Sequence, residues 1–179
     1  MAPLHAGPPE PPDFDRLIAE YADRVYGVAL RITGSPADAD DVLQETFLRV
    51  FEQQSSFRGE AAWATWLYRI AVNTSLQLLR ARRPSEPLED TTGEVVHVAD
   101  WAQDVARQVE LGELRDVLER GLARLSWEYR AAVVLRDVEG LTTAEVAQVL
   151  QIGEAAVKSR LHRGRVLLRH YLAGFFEGR

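Results

Sequence analysis

Apolar residues recur every three to four positions along most of this chain, the period of an amphipathic helix rather than of a strand. From Asp13 to Ile32 the apolar set is Leu17, Ile18, Tyr21, Val25, Val28, Ala29 and Ile32, and Gly34-Ser35-Pro36 stops the helix. A second helix is predicted over Ala37 to Glu52, with an acidic first turn and Leu43, Phe47, Val50 and Phe51 facing inward. A third runs from Trp66 to Arg83. Leu67, Ile70, Ala71, Thr74 and Leu78 fall on one side of it, and Tyr68, Val72, Leu76 and Leu79 make most of the rest apolar as well. Only a narrow stripe of Trp66, Arg69, Asn73, Gln77 and Arg80 is left for water.

Periodicity then lapses. Pro84 and Pro87 break the third helix, and residues 84–108 read as a flexible linker. It resumes near Val109, with Leu111, Leu114, Val117, Leu118, Leu122 and Leu125, and continues with Tyr129, Ala132, Val133 and Leu135 up to Glu139-Gly140. Thr142 and Glu145 have capping-box spacing and open a short helix with Val146, Ala147, Val149 and Leu150 inward. Gln151-Ile152-Gly153 makes a three-residue turn. Glu154 to Tyr171 forms the last helix, with Val157, Leu161, Gly164 and Leu168 on its inner side. The expected fold is all-α: two small helical domains, residues 13–83 and 109–172, joined by the linker, with a flexible lead-in over 1–12 and a tail over 173–179.

The chain has 179 residues and a formal net charge of -6, which by itself argues against general affinity for nucleic acid. The distribution of charge changes that picture. Arg69 to Arg83 holds four Arg and no acid, and Glu154 to His170 holds five cations against one acid. Between them Pro84 to Asp104 holds six acids and no Lys or Arg. Two basic faces separated by an acidic connector imply weak DNA binding by the free chain and a partner that presents both faces, because the acids offset counterion release. The third helix's stripe offers an aromatic for stacking, an amide for base edges and cations for phosphates, or else is the solvated edge of a core helix. Opposite the apolar side of the last helix stand Lys158, Ser159, His162, Arg165 and Arg169, with Arg163 at the edge. A short helix, a tight turn and a cationic helix form the helix-turn-helix plan, although a generic helical hairpin has the same pattern.

Several classes find no support. Cys is absent, which excludes disulfides and thiol catalysis, and the four His show no metal-ligand spacing. There is no phosphate-binding glycine loop and no nucleophile in a recognisable turn, so neither enzyme activity, metal nor cofactor is expected. Met1 to Pro12 lacks the features of a signal peptide and no run approaches a membrane span, so a cytoplasmic protein without membrane insertion is expected.

Arg58-Gly59-Glu60 with Thr65-Trp66-Leu67-Tyr68-Arg69-Ile70-Ala71 and Asn73 resembles region 2 of bacterial RNA polymerase sigma factors of the sigma-70 family, in particular the small extracytoplasmic-function class. Asp41-Val42-Leu43-Gln44-Glu45 resembles region 2.2 of the same family. Leu135 to Leu141 and Val157-Lys158-Ser159-Arg160-Leu161 closely resemble region 4, the helix-turn-helix that reads the minus-35 element. The resemblance implies core-polymerase binding by Asp41, Gln44, Glu45 and Leu48 on the clamp helices of the largest subunit, with the polymerase flap as a further partner. It implies minus-10 contacts by Phe57, Arg58, Gly59, Trp66, Arg69, Asn73, Gln77 and Arg80, Trp66 standing where the family keeps a duplex-wedging aromatic and Leu67 where housekeeping members keep a second Trp. It implies minus-35 contacts by Lys158, Ser159, His162, Arg163 and Arg165. Promoter DNA and an anti-sigma factor follow as partners. The alternative is a stand-alone helix-turn-helix regulator, which has no use for the features of the first domain.

Overall fold

A computed structural model describes residues 14–53, 63–82 and 111–177, and every regular element in them is helical. The predicted linker, the lead-in and Phe57, Arg58 and Gly59 lie outside the described residues.

Helices α1 (Phe14–Thr33), α2 (Pro36–Gln53) and α3 (Trp63–Arg82) pack pairwise around Leu17, Val25, Ala29, Val42, Phe47, Val50, Leu67, Ile70 and Ala71. The turn between α1 and α2 is made by Gly34 at φ 73, whose N–H bonds the Leu30 carbonyl at 2.8 Å. A side chain is costly at that φ, so the glycine stop signal is structural.

Helices α4 (Leu111–Arg124), α5 (Trp127–Val133), α6 (Thr143–Leu150) and α7 (Glu154–Glu177) form the second unit, with one π-helical turn over Val134–Val138 carrying α5 toward Gly140. Its core is Val117, Leu122, Leu125, Ala131 to Leu135, Val146, Val149, Val157, Leu161, Leu168 and Leu172. Gly164 lies where α7 meets α5. A Cβ built there would stand 2.8 Å from Val133 Cγ2, so the missing side chain sets how closely the helices approach.

Two expectations need correcting. The last helix continues to Glu177 instead of ending near Tyr171, because Leu172 is buried and Phe175 packs on the core with Arg120 5.9 Å above its ring. Phe51 is 56% exposed rather than buried, and Val42 is inward. An edge contact with Phe14 is what Phe51 makes instead, at 5.2 Å between ring centroids.

The second core is not confined to the second unit. Val28 and Ile32 of α1, and Tyr68, Val72 and Leu76 of α3, belong to the same buried cluster as α4 to α7. Arg130 stitches the seam by donating to the Ile32 carbonyl at 2.9 Å and to the Ala123 and Leu125 carbonyls at 2.6 and 2.8 Å, at the C-terminal ends of α1 and α4.

Candidate docking groove and nucleic-acid interface

Helix α3 serves three directions at once. At about 100° per residue, Thr74 and Leu78 point to one flank, Tyr68, Val72 and Leu76 to the other, and Arg69, Asn73, Gln77 and Arg80 run between them.

On the first flank, α2 and α3 leave an open groove of about 600 Å³ lined by Asp41, Val42, Gln44, Glu45, Leu48, Thr74 and Leu78. All four residues expected to bind polymerase line it. Leu48 is 53% exposed, an unusual position for a large aliphatic side chain, and Asp41 and Gln44 are exposed beside it. Glu45 accepts from Arg49 Nε at 2.6 Å, an i,i+4 pair that holds the carboxylate in place at the groove edge. Thr74 and Leu78 were not among the expected groove residues. Their helical phase groups them with core positions, and only the placement of α2 leaves them half open.

The middle stripe is shorter than expected. Arg69, Gln77 and Arg80 are exposed and Asn73 is partly so. Trp66, placed on the wetted stripe by its phase, is only 8% exposed and belongs to the core of α1, α2 and α3. Trp63 stands against it at 5.3 Å, ring edge to ring face. Helical phase assigns a direction but not what occupies it, and the first turn of α3 is covered. Arg80 lies 4.8 Å over the ring of Trp127 at the start of α5, so this cation is engaged with the second unit.

In the second unit, Glu145 and Thr142 close the expected capping box: Thr142 Oγ1 accepts from the Glu145 N–H at 3.2 Å, and Glu145 Oε2 accepts from the Thr142 N–H at 2.7 Å. Gln151 takes the left-handed conformation at φ 55 that ends α6, and the Val157 N–H bonds the Gly153 carbonyl to start α7. Lys158, Ser159, His162, Arg163 and Arg165 are all exposed along α7. Arg163 lies 3.4 Å from the Tyr129 hydroxyl. Arg165 is not a free cation: Nε and Nη2 reach the two carboxylate oxygens of Asp137 at 2.9 and 2.6 Å, and this bonding raises its pKa. The fork holds Arg165 in one pose against the π-helical turn.

The hydroxyl and backbone bonds from Thr142 hold the Glu145 carboxyl below the ordinary glutamate range. A depressed carboxylate stabilises the fold above its unfolded pKa and loses that contribution as pH falls through its folded pKa. Thr142→Ala should therefore cost about 1 kcal/mol at neutral pH. The penalty should shrink toward about pH 4, read as a smaller difference between the two melting temperatures. An equal penalty at both pH values would remove the carboxylate from the account.

The family model of Sigma-70 region 2 matches residues 17–84, and that of Sigma-70, region 4 matches residues 115–168. The ECF RNA polymerase sigma factor SigE of Mycolicibacterium smegmatis is 38% identical over 164 residues, 90% of this chain and 62% of that protein. The RNA polymerase sigma-H factor of Pseudomonas aeruginosa is 35% identical over 158 residues, 85% of this chain and 82% of its own length. Among solved structures, CnrH in complex with the cytosolic domain of CnrY superposes with a TM-score of 0.65 at 27% identity, covering 90% of this chain and 88% of that one. The sigma factor RpoE of Bartonella quintana, solved with the anti-sigma factor NepR, has the same fold at a TM-score of 0.68 and 21% identity, covering 90% and 97%. No helix among the described residues is long and apolar enough to cross a membrane. With region 2 and region 4 matched in order, and a first unit for which a stand-alone regulator has no use, the chain belongs to the sigma-70 family, in its extracytoplasmic-function class.

Proposed function

We propose that this sigma factor docks core RNA polymerase in the α2–α3 groove, grips the minus-35 duplex with α7 and holds unstacked minus-10 bases on the α3 stripe. The observation that carries the reading is the convergence of Asp41, Gln44, Glu45 and Leu48 on one open groove directly beside the exposed stripe of Arg69, Asn73 and Gln77. A groove with an aliphatic floor and acidic rim suits a partner helix that is basic and partly apolar, as the clamp helices of the largest subunit are expected to be. Sigma factors are initiation factors and not enzymes by themselves; the polymerase makes the RNA. The protein acts where that polymerase is, in the cytoplasm.

On α3, Arg69 and Gln77 flank Asn73 one helical turn to either side, so an amide for a base edge sits between a cation and a second amide. Trp66 is assigned to support this surface from beneath, with any stacking left to the loop containing Phe57, Arg58 and Gly59. On α7, Lys158, Ser159 and His162 are the base-edge and phosphate candidates, and Arg163 and the Asp137-held Arg165 contact the backbone. An anti-sigma factor is a further expected partner, since RpoE of Bartonella quintana was solved with one.

The test separates the two DNA surfaces. With core polymerase and a promoter selected from a sequence library, Asn73→Ala should reduce unpaired thymine reactivity downstream by about tenfold, as loss of an amide worth about 1–3 kcal/mol requires. Protection of the upstream duplex should persist. Normal melting with lost upstream protection would reverse the assignment.

A further inference from the structure

The seam between the two units contains a charged group where a permanent core would not place one. The Glu139 side chain is 9% exposed, and its carboxylate is held from across the seam. Tyr68 Oη donates to Glu139 Oε2 at 2.6 Å, and Arg24 Nε lies 3.5 Å from the same oxygen. Burial first, and then this bond to Glu139, raise the Tyr68 pKa, so the phenol remains a donor at any physiological pH. Arg24 also lies 5.8 Å from the centre of the Tyr68 ring. Two more cross-links flank this centre: Arg31 Nε to Glu119 Oε1 at 3.0 Å, and Arg80 over Trp127. A carboxylate paired across an otherwise apolar contact adds little to its strength, because each ion loses its water on closing and regains it on opening. It does fix one register and leaves an interface that can separate into two soluble halves.

The closed arrangement does not fit the proposed task. The minus-35 and minus-10 elements are, by their names, about 25 base pairs apart, or about 80 Å along B-DNA. A compact body of this size has a radius of gyration of about 15 Å, so its two DNA faces cannot reach both elements while the seam is shut. The chain between α3 and α4 is 28 residues, 83 to 110. Fully extended, it spans about 90 Å, far more than two touching domains require and close to what the promoter demands. Closure also holds Arg80, a member of the expected minus-10 stripe, against Trp127.

We propose that this seam is a self-inhibitory latch: the free chain rests closed, with Glu139 gripped by Arg24 and Tyr68, and core polymerase opens it so that Arg80 is released and the two DNA faces separate. The inference rests on the function proposed above. Opening costs the apolar contacts of Val28, Ile32, Tyr68, Val72 and Leu76, and polymerase must bind the open form more tightly to offset that cost.

The chain has no Cys, so two introduced thiols are its only ones. In Arg31→Cys/Glu119→Cys, a short bismaleimide across the seam should cut initiation from genomic DNA fragments with core polymerase by at least about tenfold, relative to the same variant capped singly with N-ethylmaleimide. In parallel, spin labels on Arg16→Cys/His170→Cys should give one short, narrow distance in the free chain and a longer one with core polymerase. Glu139→Gln, which keeps the shape and removes the charge facing Arg24, should shift the free chain toward the long distance. Equal initiation by cross-linked and capped chains, or a long distance in the free wild-type background, would overturn the latch. If the capped chain does not initiate at all, the sigma-factor reading of this surface fails, and the distances alone decide whether the seam opens.

Discussion

Leu48→Asp is expected to abolish productive binding to core RNA polymerase while leaving the fold intact. Leu48 is 53% exposed, so its loss removes little from the core of the first unit. At the centre of the groove it has the character of an interface anchor, and truncating such anchors costs about 2–4 kcal/mol, or about 30- to 1000-fold in affinity. The new carboxylate joins Asp41 and Glu45 without a cation of its own, because Arg49 is already committed to Glu45. Titration of labelled chain with purified core would measure the loss, and circular dichroism would confirm the helices. Leu48→Met, which keeps an apolar side chain of similar volume, should bind within a few-fold of the parent. Unchanged affinity in Leu48→Asp would move the docking site elsewhere.

The second large effect concerns stability, and it reverses an ordinary propensity rule. Gly→Ala inside a helix usually stabilises by about 0.8–1 kcal/mol. At Gly164 the added methyl would stand 2.8 Å from Val133 Cγ2 and 3.4 Å from Tyr129 Cβ, both on the helix packed against it. Val133 is 3% exposed and has little room to yield. Overpacking of this kind costs about 1–3 kcal/mol, so Gly164→Ala should be destabilising despite the propensity gain. Gly174, on the same helix, has nothing within 4 Å of its Cβ direction, and Gly174→Ala should be neutral or slightly stabilising. Denaturant unfolding of the two variants side by side is decisive. If both stabilise, α7 is not held against α5 as described. Because the seam joins the units, Gly164→Ala should also weaken closure.

Much of this was legible from one-dimensional pattern. The stops at Gly34 and Gly140, the Thr142–Glu145 capping box, the inward Val157, Leu161 and Leu168 and the exposed Lys158 to Arg165 run are local matters, decided within one or two helical turns. The groove was legible in part: the α2 residues could be named, whereas Thr74 and Leu78 could not, because the gap between two helices depends on how their axes sit. Trp66 marks the limit of phase. It shares its side of α3 with Arg69 and Asn73, yet Trp63 and the core of α1 and α2 cover it. Phe175 marks another, since only the docking of α4 supplies the Arg120 that meets it.

By itself, then, the sequence determined the all-helical class, the ends of several helices, the faces of α2 and α7 and the family, since these follow from residue periodicity, capping chemistry and short motifs. The tertiary structure alone decided that α3 has a third, covered flank, and that Tyr68, Arg24 and Glu139 meet. Tyr68 and Glu139 are 71 residues apart. A contact between distant positions on different helices leaves no periodic trace in either, because each side chain looks locally like an ordinary core tyrosine or an ordinary surface glutamate until the helices are packed.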